Sequence, residues 1–289
     1  MNHLRLTPLR KAPLNSSPYS LSFSTLRWKM MSDGESEIPL MRISEDGTSI
    51  QKETIVEEVA VQLHALNQRG TYVNHSTLLA TPTDLIELHA GHLYSEGYLE
   101  ERPSKTSFQV QDDEYLIVQY AGRIHLPSRE RIVTSSCGAC NHPDLTVRRD
   151  KIVQHDSRFS NLDAPTLWRA LDRLTSSMTI FNRTGGCHGT GLYSNDGTIH
   201  LVSEDIGRHN AVDKTIGKAI FTENPTLEHS MLLLSGRCGW DIVAKCVRTG
   251  IPAIASLGAF SSAAVTLARE HNVTLYGFVR EQGAWKVGY

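Results

Sequence analysis

The sequence predicts an α/β protein, with a C-terminal α/β domain preceded by a smaller strand-rich α+β domain. Two patterns carry this expectation. From about residue 165 onward, helical spacings alternate with short apolar runs, which is the mark of strand–helix–strand units and of a largely parallel sheet. Between 53 and 120, by contrast, several runs read as strands around a single helix. A chain of 289 residues is long enough for both parts to have hydrophobic cores. The expected boundaries are an extension at 1–50, taken as disordered, a strand-rich part at 51–133, a Cys-x-x-Cys loop and linker at 134–160, and the α/β domain at 161–289.

Residues 53–67 alternate apolar and polar side chains over much of their length and suggest one half-buried strand. Gln68-Arg69-Gly70 turns the chain into a returning strand at 71–79. Pro82-Thr83-Asp84 then opens a helix whose Leu85, Leu88, His89, His92 and Leu93 fall mostly on one face, and Gly97 stops it. His89, His92 and Glu96 have spacings a metal could use. Helices offer these by chance, so packing histidines beside a solvated Glu96 are expected. Strands at 107–111 and 114–120 follow. A helix spans 165–181, capped by Asp163, with Leu167, Leu171, Leu174 and Met178 along one side. Strands are expected near 185–193, 198–202, 231–234, 253–256 and 273–279, and helices near 208–221, 240–248 and 261–270.

Composition narrows the function. A formal net charge of -2 argues against a general nucleic-acid binder. No apolar run reaches the ~18–20 residues of a membrane helix. The five cysteines are an odd number and do not suit a secreted disulfide framework; functional thiols in a reducing cytoplasm are expected instead. The first 32 residues carry basic side chains but neither Asp nor Glu, as transit peptides do. Pro8, Pro13 and Pro18 break any amphipathic helix there, so an extension, or a start at Met30 or Met31, fits better.

Thr134-Ser135-Ser136-Cys137-Gly138-Ala139-Cys140 holds the only Cys-x-x-Cys pair. Two thiols on one turn can stabilise a neighbouring thiolate, which suits disulfide exchange, persulfide carriage or half of a zinc site. Polar clusters gather where strands end. Gly185, Gly186 and His188 lie in a glycine-rich turn; Arg208 and His209 follow Glu204 and Asp205; Ser235-Gly236-Arg237 ends another strand; Arg280 ends the last. In α/β sheets, ligands bind beyond the carboxyl ends of strands. Arg208 at a helix N-terminus is unfavourable unless it meets an acid or a phosphate. Three strand-end arginines point to an anionic ligand.

Taken together, Pro82-Thr83-Asp84 through Ser95-Glu96-Gly97, the Cys137–Cys140 motif, Thr184-Gly185-Gly186 with His188, the segment Glu204-Asp205-Ile206-Gly207-Arg208-His209-Asn210 through Asp213-Lys214, Ser235-Gly236-Arg237, and Leu275 through Arg280 resemble the FdhD family, in the family's order. These are sulfurtransferases that serve formate dehydrogenase maturation. The resemblance implies a three-layer, cytidine-deaminase-like α/β domain. It implies a carrier that takes sulfur from a cysteine desulfurase as a persulfide and passes it to the molybdenum bis-guanine-dinucleotide cofactor, a bound substrate, before insertion into formate dehydrogenase. Cys137 is then the persulfide cysteine and Cys140 the assisting thiol. Phe278, Val279, Arg280, Glu281, Gln282 and Gly283 match the family's cofactor-binding segment, and a homodimer in the cytoplasm is implied. No permanent metal is expected: the chain has no His-x-Glu, so zinc deaminase chemistry lacks its acid and base. Two alternatives stay open, a zinc protein using Cys137 and Cys140 with Cys187, His188 or His142, and a chaperone that holds the cofactor without moving sulfur.

Overall fold

The computed structural model describes residues 33–112, 114–124, 153–154, 156–223 and 226–288. Cys137 and Cys140 lie outside the described residues. Among the described residues, no helix is long and apolar enough to cross a membrane.

The chain from Glu35 is not the extension expected up to residue 50. Strands β1 (Glu35–Ser44) and β2 (Gly47–Val56) pair in antiparallel register through a tight turn at Glu45-Asp46. Asp46-Gly47 is a hairpin signal, and Gly47 takes the positive φ the turn needs. The hairpin is exposed along most of its length and so lacks the one-sided apolar alternation that marks a packed strand. Its base is tied down by the Glu35–Arg183 ion pair at 2.7 Å.

Residues 53–67 are likewise two strands rather than one, because Glu57-Glu58 interrupts the pairing. β3 (Val59–Leu66), β4 (Tyr72–Ala80), β5 (Phe108–Asp112) and β6 (Leu116–Arg123) form a sheet in the order β4-β3-β6-β5. Asn67 closes the β3–β4 turn by accepting from the Arg69 and Thr71 amides. Val61, Leu63 and Ala65 alternate inward and pack on α1 (Leu85–Ser95) through Leu88 and Leu93.

The remaining elements make the α/β part. α2 (Ser157–Ser160) and α3 (Ala164–Ser176) lead to α4 (Thr179–Thr184); the single helix expected at 165–181 breaks at Ser177-Met178. Asp163 does cap α3, accepting from Thr166 N at 2.9 Å. Then follow β7 (His188–Tyr193), β8 (Ile199–Asp205), α5 (Arg208–Ile220), β9 (Met231–Leu234), α6 (Trp240–Thr249), β10 (Ala253–Ser256), α7 (Ser262–Glu270), β11 (Thr274–Arg280) and β12 (Gly283–Val287). The sheet order is β12-β11-β10-β9-β7-β8. Only β9–β10 and β10–β11 are parallel, so the sheet is mixed rather than largely parallel. Hairpins supply both ends: Asn195-Asp196-Gly197 between β7 and β8, and Glu281-Gln282 between β11 and β12.

Three layers result. Leu167, Leu171 and Leu174 of α3 cover one face of the sheet, against Leu233, Ala255 and Tyr276. Val212, Ile216, Val243, Val247 and Leu267 cover the other, against Leu232, Leu234, Ile254 and Leu275. The central strands are buried on both faces, which is why they read as unbroken apolar runs.

α1 and α5 join the two sheets at very close range. A Cβ on Gly91 would fall 1.8 Å from the Asp213 carbonyl oxygen, and one on Gly217 would fall 1.9 Å from the Glu87 carbonyl oxygen. Around this crossing sits a buried polar network. Asp213 accepts from Lys245 and from Ser95, each at 2.7 Å, and meets His92 Nδ1 at 3.2 Å. Lys245 also pairs with Glu96 at 2.6 Å, and Arg248 with the same carboxylate at 3.3 Å. Glu96 is therefore buried and doubly paired, not solvated as expected. A second lysine, Lys214, is fully buried, paired with Asp205 at 2.7 Å and donating to the Thr81 and Glu204 carbonyls. With Lys218, which donates to the Val202 carbonyl, it satisfies the outer edge of β8, the last strand of the sheet.

Two tests follow from this joint. Gly91→Ala or Gly217→Ala should cost ~3 kcal/mol or more in urea unfolding, because backbone faces each new methyl. Stability should also fall with acid in two stages. Burial, with neighbouring His75 and His92, holds His89 well below 6.5, so its contribution is complete above 6.5 and drains as pH drops. Burial alone would raise the Glu96 carboxyl, but Lys245 and Arg248 overcome this and bring it from 4.5 to about 2. Its contribution, about 3 kcal/mol, is present above 4.5 and lost on descending to about 2. Unfolding free energies measured from neutral to strongly acidic pH, with Lys245→Met as comparison, check both stages.

Candidate anion site at the strand ends

The carboxyl ends of β8, β9, β10 and β11 and the start of β7 fall along one edge of the larger sheet. The loops that follow β9, β10 and β11 are stitched together by their backbones. Leu257 N donates to Leu234 O, Gly258 N to Gly236 O and Phe278 N to Gly258 O, at 3.0–3.2 Å. Such layering leaves no space for side chains between the loops. A Cβ on Gly258 would sit 2.6 Å from the Gly236 carbonyl oxygen, and one on Gly277 would strike the Phe260 ring at 2.4 Å. Ser256 fastens the stack by donating from Oγ to Gly236 O and accepting from Gly258 N.

On this rim stand most of the residues singled out in the sequence. His188 pairs in register with Asp205, and its ring lies over Gly236, whose Cβ position is 3.0 Å from His188 Nδ1. Arg208 and His209 begin α5. His209 is buried, and its Nε2 meets the Asp241 carboxylate from the first turn of α6. Burial would raise the Asp241 carboxyl, but the bond and charge from His209 bring it below its usual value. Arg208 Nε is buried without a hydrogen-bond partner among the described residues. Arg237 is exposed on the β9–α6 loop. Neither Arg208 nor Arg237 has a carboxylate at ion-pair distance among the described residues. Desolvation, then the charges of Arg208 and Arg237, push the His188 imidazole below its ordinary value.

Other expected site residues have different surroundings. Ser235 bridges strands, its Oγ accepting from Gly189 N at 2.9 Å. Gly185 ends α4 at φ +68, while Gly186 leaves room for Val56 of β2. The glycine-rich turn is thus explained by packing and capping. In the 278–283 segment, Phe278 is exposed at φ +52 where the β11–β12 register shifts. Arg280 donates to the Leu257 and Val279 carbonyls at 2.8 and 2.7 Å. Glu281 and Gln282 make the hairpin turn and Gly283 pairs with Arg280. Val279, expected with them at the site, is buried against α3 and serves the core instead.

Cys187 and Cys238 are buried. Burial raises both thiols, Cys187 to about 11, so neither is poised to ionise. Asp241 and Gly258 were not recognised as site residues from the sequence. Ser256-Leu257-Gly258 after β10 echoes Ser235-Gly236 after β9, and that repeated Ser–Gly ending was the available signal.

An α/β fold whose strand-end loops hold two arginines with no carboxylate at ion-pair distance, among the described residues, has the chemistry of a candidate anion site. Comparison with known proteins gives the family. The family model described as FdhD/NarQ matches residues 56–285, and the chain belongs to that family. A relative from Picrophilus torridus, named sulfur carrier protein FdhD, is 35% identical over 243 residues, covering 83% of this chain and 91% of the relative. One of the same name from Streptomyces coelicolor is 34% identical over 266 residues, covering 83% and 89%. The crystal structure of a candidate formate dehydrogenase accessory protein from Desulfotalea psychrophila superposes with a TM-score of 0.65 at 21% identity, covering 88% of this chain and 97% of that one, which speaks for the fold.

The His209–Asp241 contact can be tested directly. Asp241→Ala should cost about 1–3 kcal/mol in urea unfolding by leaving a buried imidazole unpaired, and Asp241→Asn should cost less.

Proposed function

We propose that this chain is a sulfur carrier for formate dehydrogenase. It accepts sulfur from a cysteine desulfurase as a persulfide and delivers it to the molybdenum bis-guanine-dinucleotide cofactor before that cofactor enters the enzyme. Curated relatives named sulfur carrier protein FdhD, more than 30% identical over most of both chains, support the role. The observation that carries the substrate class is the pair Arg208 and Arg237, placed beside His188 on a rim of layered loops with no carboxylate paired to either among the described residues. Guanidinium groups on a glycine-lined edge suit the diphosphate of a dinucleotide.

In this account Cys137 is the sulfur-bearing residue. Its thiolate attacks the outer sulfur of the desulfurase persulfide; a new S–S bond forms on Cys137 and the desulfurase cysteine leaves as thiolate. Cys140 assists as the neighbouring thiol. Phe278, Arg280 and the β11–β12 turn flank the anion site and take part in holding the cofactor. The carrier works in the cytoplasm, as a homodimer, between desulfurase and formate dehydrogenase.

Incubation with a cysteine desulfurase and cysteine, followed by mass spectrometry of the intact and digested chain, tests the sulfur step. One added sulfur should appear on Cys137 and vanish in Cys137→Ser. Absence of added sulfur on both Cys137 and Cys140 would defeat the proposal. Arg208→Ala with Arg237→Ala should leave persulfide formation intact while weakening binding of a guanosine diphosphate ester by tenfold or more, about 1.4 kcal/mol.

A further inference from the structure

His188 has surroundings that a simple ligand contact would not require. The ring is half-buried over Gly236, and no protein group is hydrogen-bonded to either ring nitrogen among the described residues. Arg208 comes from the start of α5 and Arg237 from the β9–α6 loop, and both act on the ring as like charges. The acids nearby are committed elsewhere. Asp205, its register partner, accepts from the amides of Thr81 and Gly207, from Asn210 and from Lys214. Asp241 is taken by His209, the other histidine that acts on the ring. An imidazolium at His188 therefore has two guanidinium neighbours, offset in part by the charge of Asp205, and no carboxylate hydrogen-bonded to it among the described residues.

We propose that His188 is a proton-linked anion ligand: it waits as neutral imidazole and takes up one proton from solvent when a nucleotide diphosphate seats against Arg208 and Arg237. The inference rests on the anion-site reading above and adds to it a defined chemical state for each step. Two negative charges on the diphosphate offset the two guanidinium groups. Burial and, after it, repulsion by the guanidinium groups keep the ring neutral; the diphosphate replaces that repulsion by attraction, and a charged N–H is then the stronger donor to a phosphate oxygen. By linkage, the ligand binds more tightly as pH falls, and deprotonation of His188 favours its release.

Calorimetric titration of the full chain with GDP-mannose tests this. Both phosphates of that ligand are esterified and keep one charge each, so it contributes no proton of its own. Titrations near pH 7 in buffers of different ionisation enthalpy should show uptake approaching one proton per ligand. Affinity should rise by up to about tenfold per pH unit between about pH 8 and about pH 6.5. His188→Gln and His188→Asn, checked for unchanged thermal unfolding, should bind with no uptake and little pH dependence. Binding to the wild-type chain without proton uptake would overturn the role of His188 while leaving the anion site standing. Uptake that persists in both His188 variants and disappears in His209→Gln would overturn it too, by assigning the proton to His209. No binding at either end of the range would overturn the anion-site reading and this proposal with it.

Discussion

The structure depends on one close contact, the crossing of α1 over α5 with glycine against backbone on both sides. Gly91 and Gly217 let the two helices approach until only backbone separates them, and no side chain could keep that distance. The approach brings Asp213, Lys245, Glu96, Ser95 and His92 within bonding distance in a space sealed from water. Buried charges add little net stability when paired and cost heavily when one partner is lost. The crossing therefore acts more as a lock on relative position than as a source of folding energy. It fixes the smaller sheet against the larger one and holds α5 in place, with Arg208 and His209 at its first turn.

The candidate anion site inherits its shape from that position. One edge of the site is the start of α5, set by the crossing; the others are loops bound to one another by backbone hydrogen bonds. The arginines therefore stand on rigid supports. Arg208 at a helix start has no carboxylate at ion-pair distance among the described residues; Asp241 acts on it only through charge, and Asp205, Glu204 and Asp241 each make local bonds. Both guanidinium groups at the rim are thus left without a bonded carboxylate among the described residues.

Much of this could be read from the sequence, and the misses have physical causes. Strands β9, β10 and β11 were legible because burial on both faces demands unbroken apolar runs, and α3 because Asp163, Pro165 and the leucine spacing agree. The clusters at the strand ends were legible because chemistry-bearing residues recur where strands stop. Direction was not: β7, β8 and β12 run against their neighbours, and a hairpin turn such as Glu281-Gln282 carries no strong signal. The β1–β2 hairpin was missed because exposed strands lack one-sided patterning. Glu96 was misjudged because its partners, Lys245 and Arg248, lie about 150 residues away in the chain. The glycines near residue 186 suggested a ligand loop, whereas Val56 and Met178 account for two of them.

Lys214 and Lys218 have a consequence for how this architecture can vary. Their ammonium groups stand where the N–H groups of a further strand would be, so the large sheet ends at β8 by a side-chain device of α5 rather than by running out of chain. Lys214 also pairs with Asp205 and donates to Thr81 and Thr83, just past the end of the smaller sheet. The two halves consequently share one closure and are poor candidates for separate expression or recombination with foreign partners. Cut apart, the larger half would keep the lysine bonds to Val202, Glu204 and Asp205 but lose those to Thr81, Thr83 and Asp84, and its first failure would be association through that loosened edge.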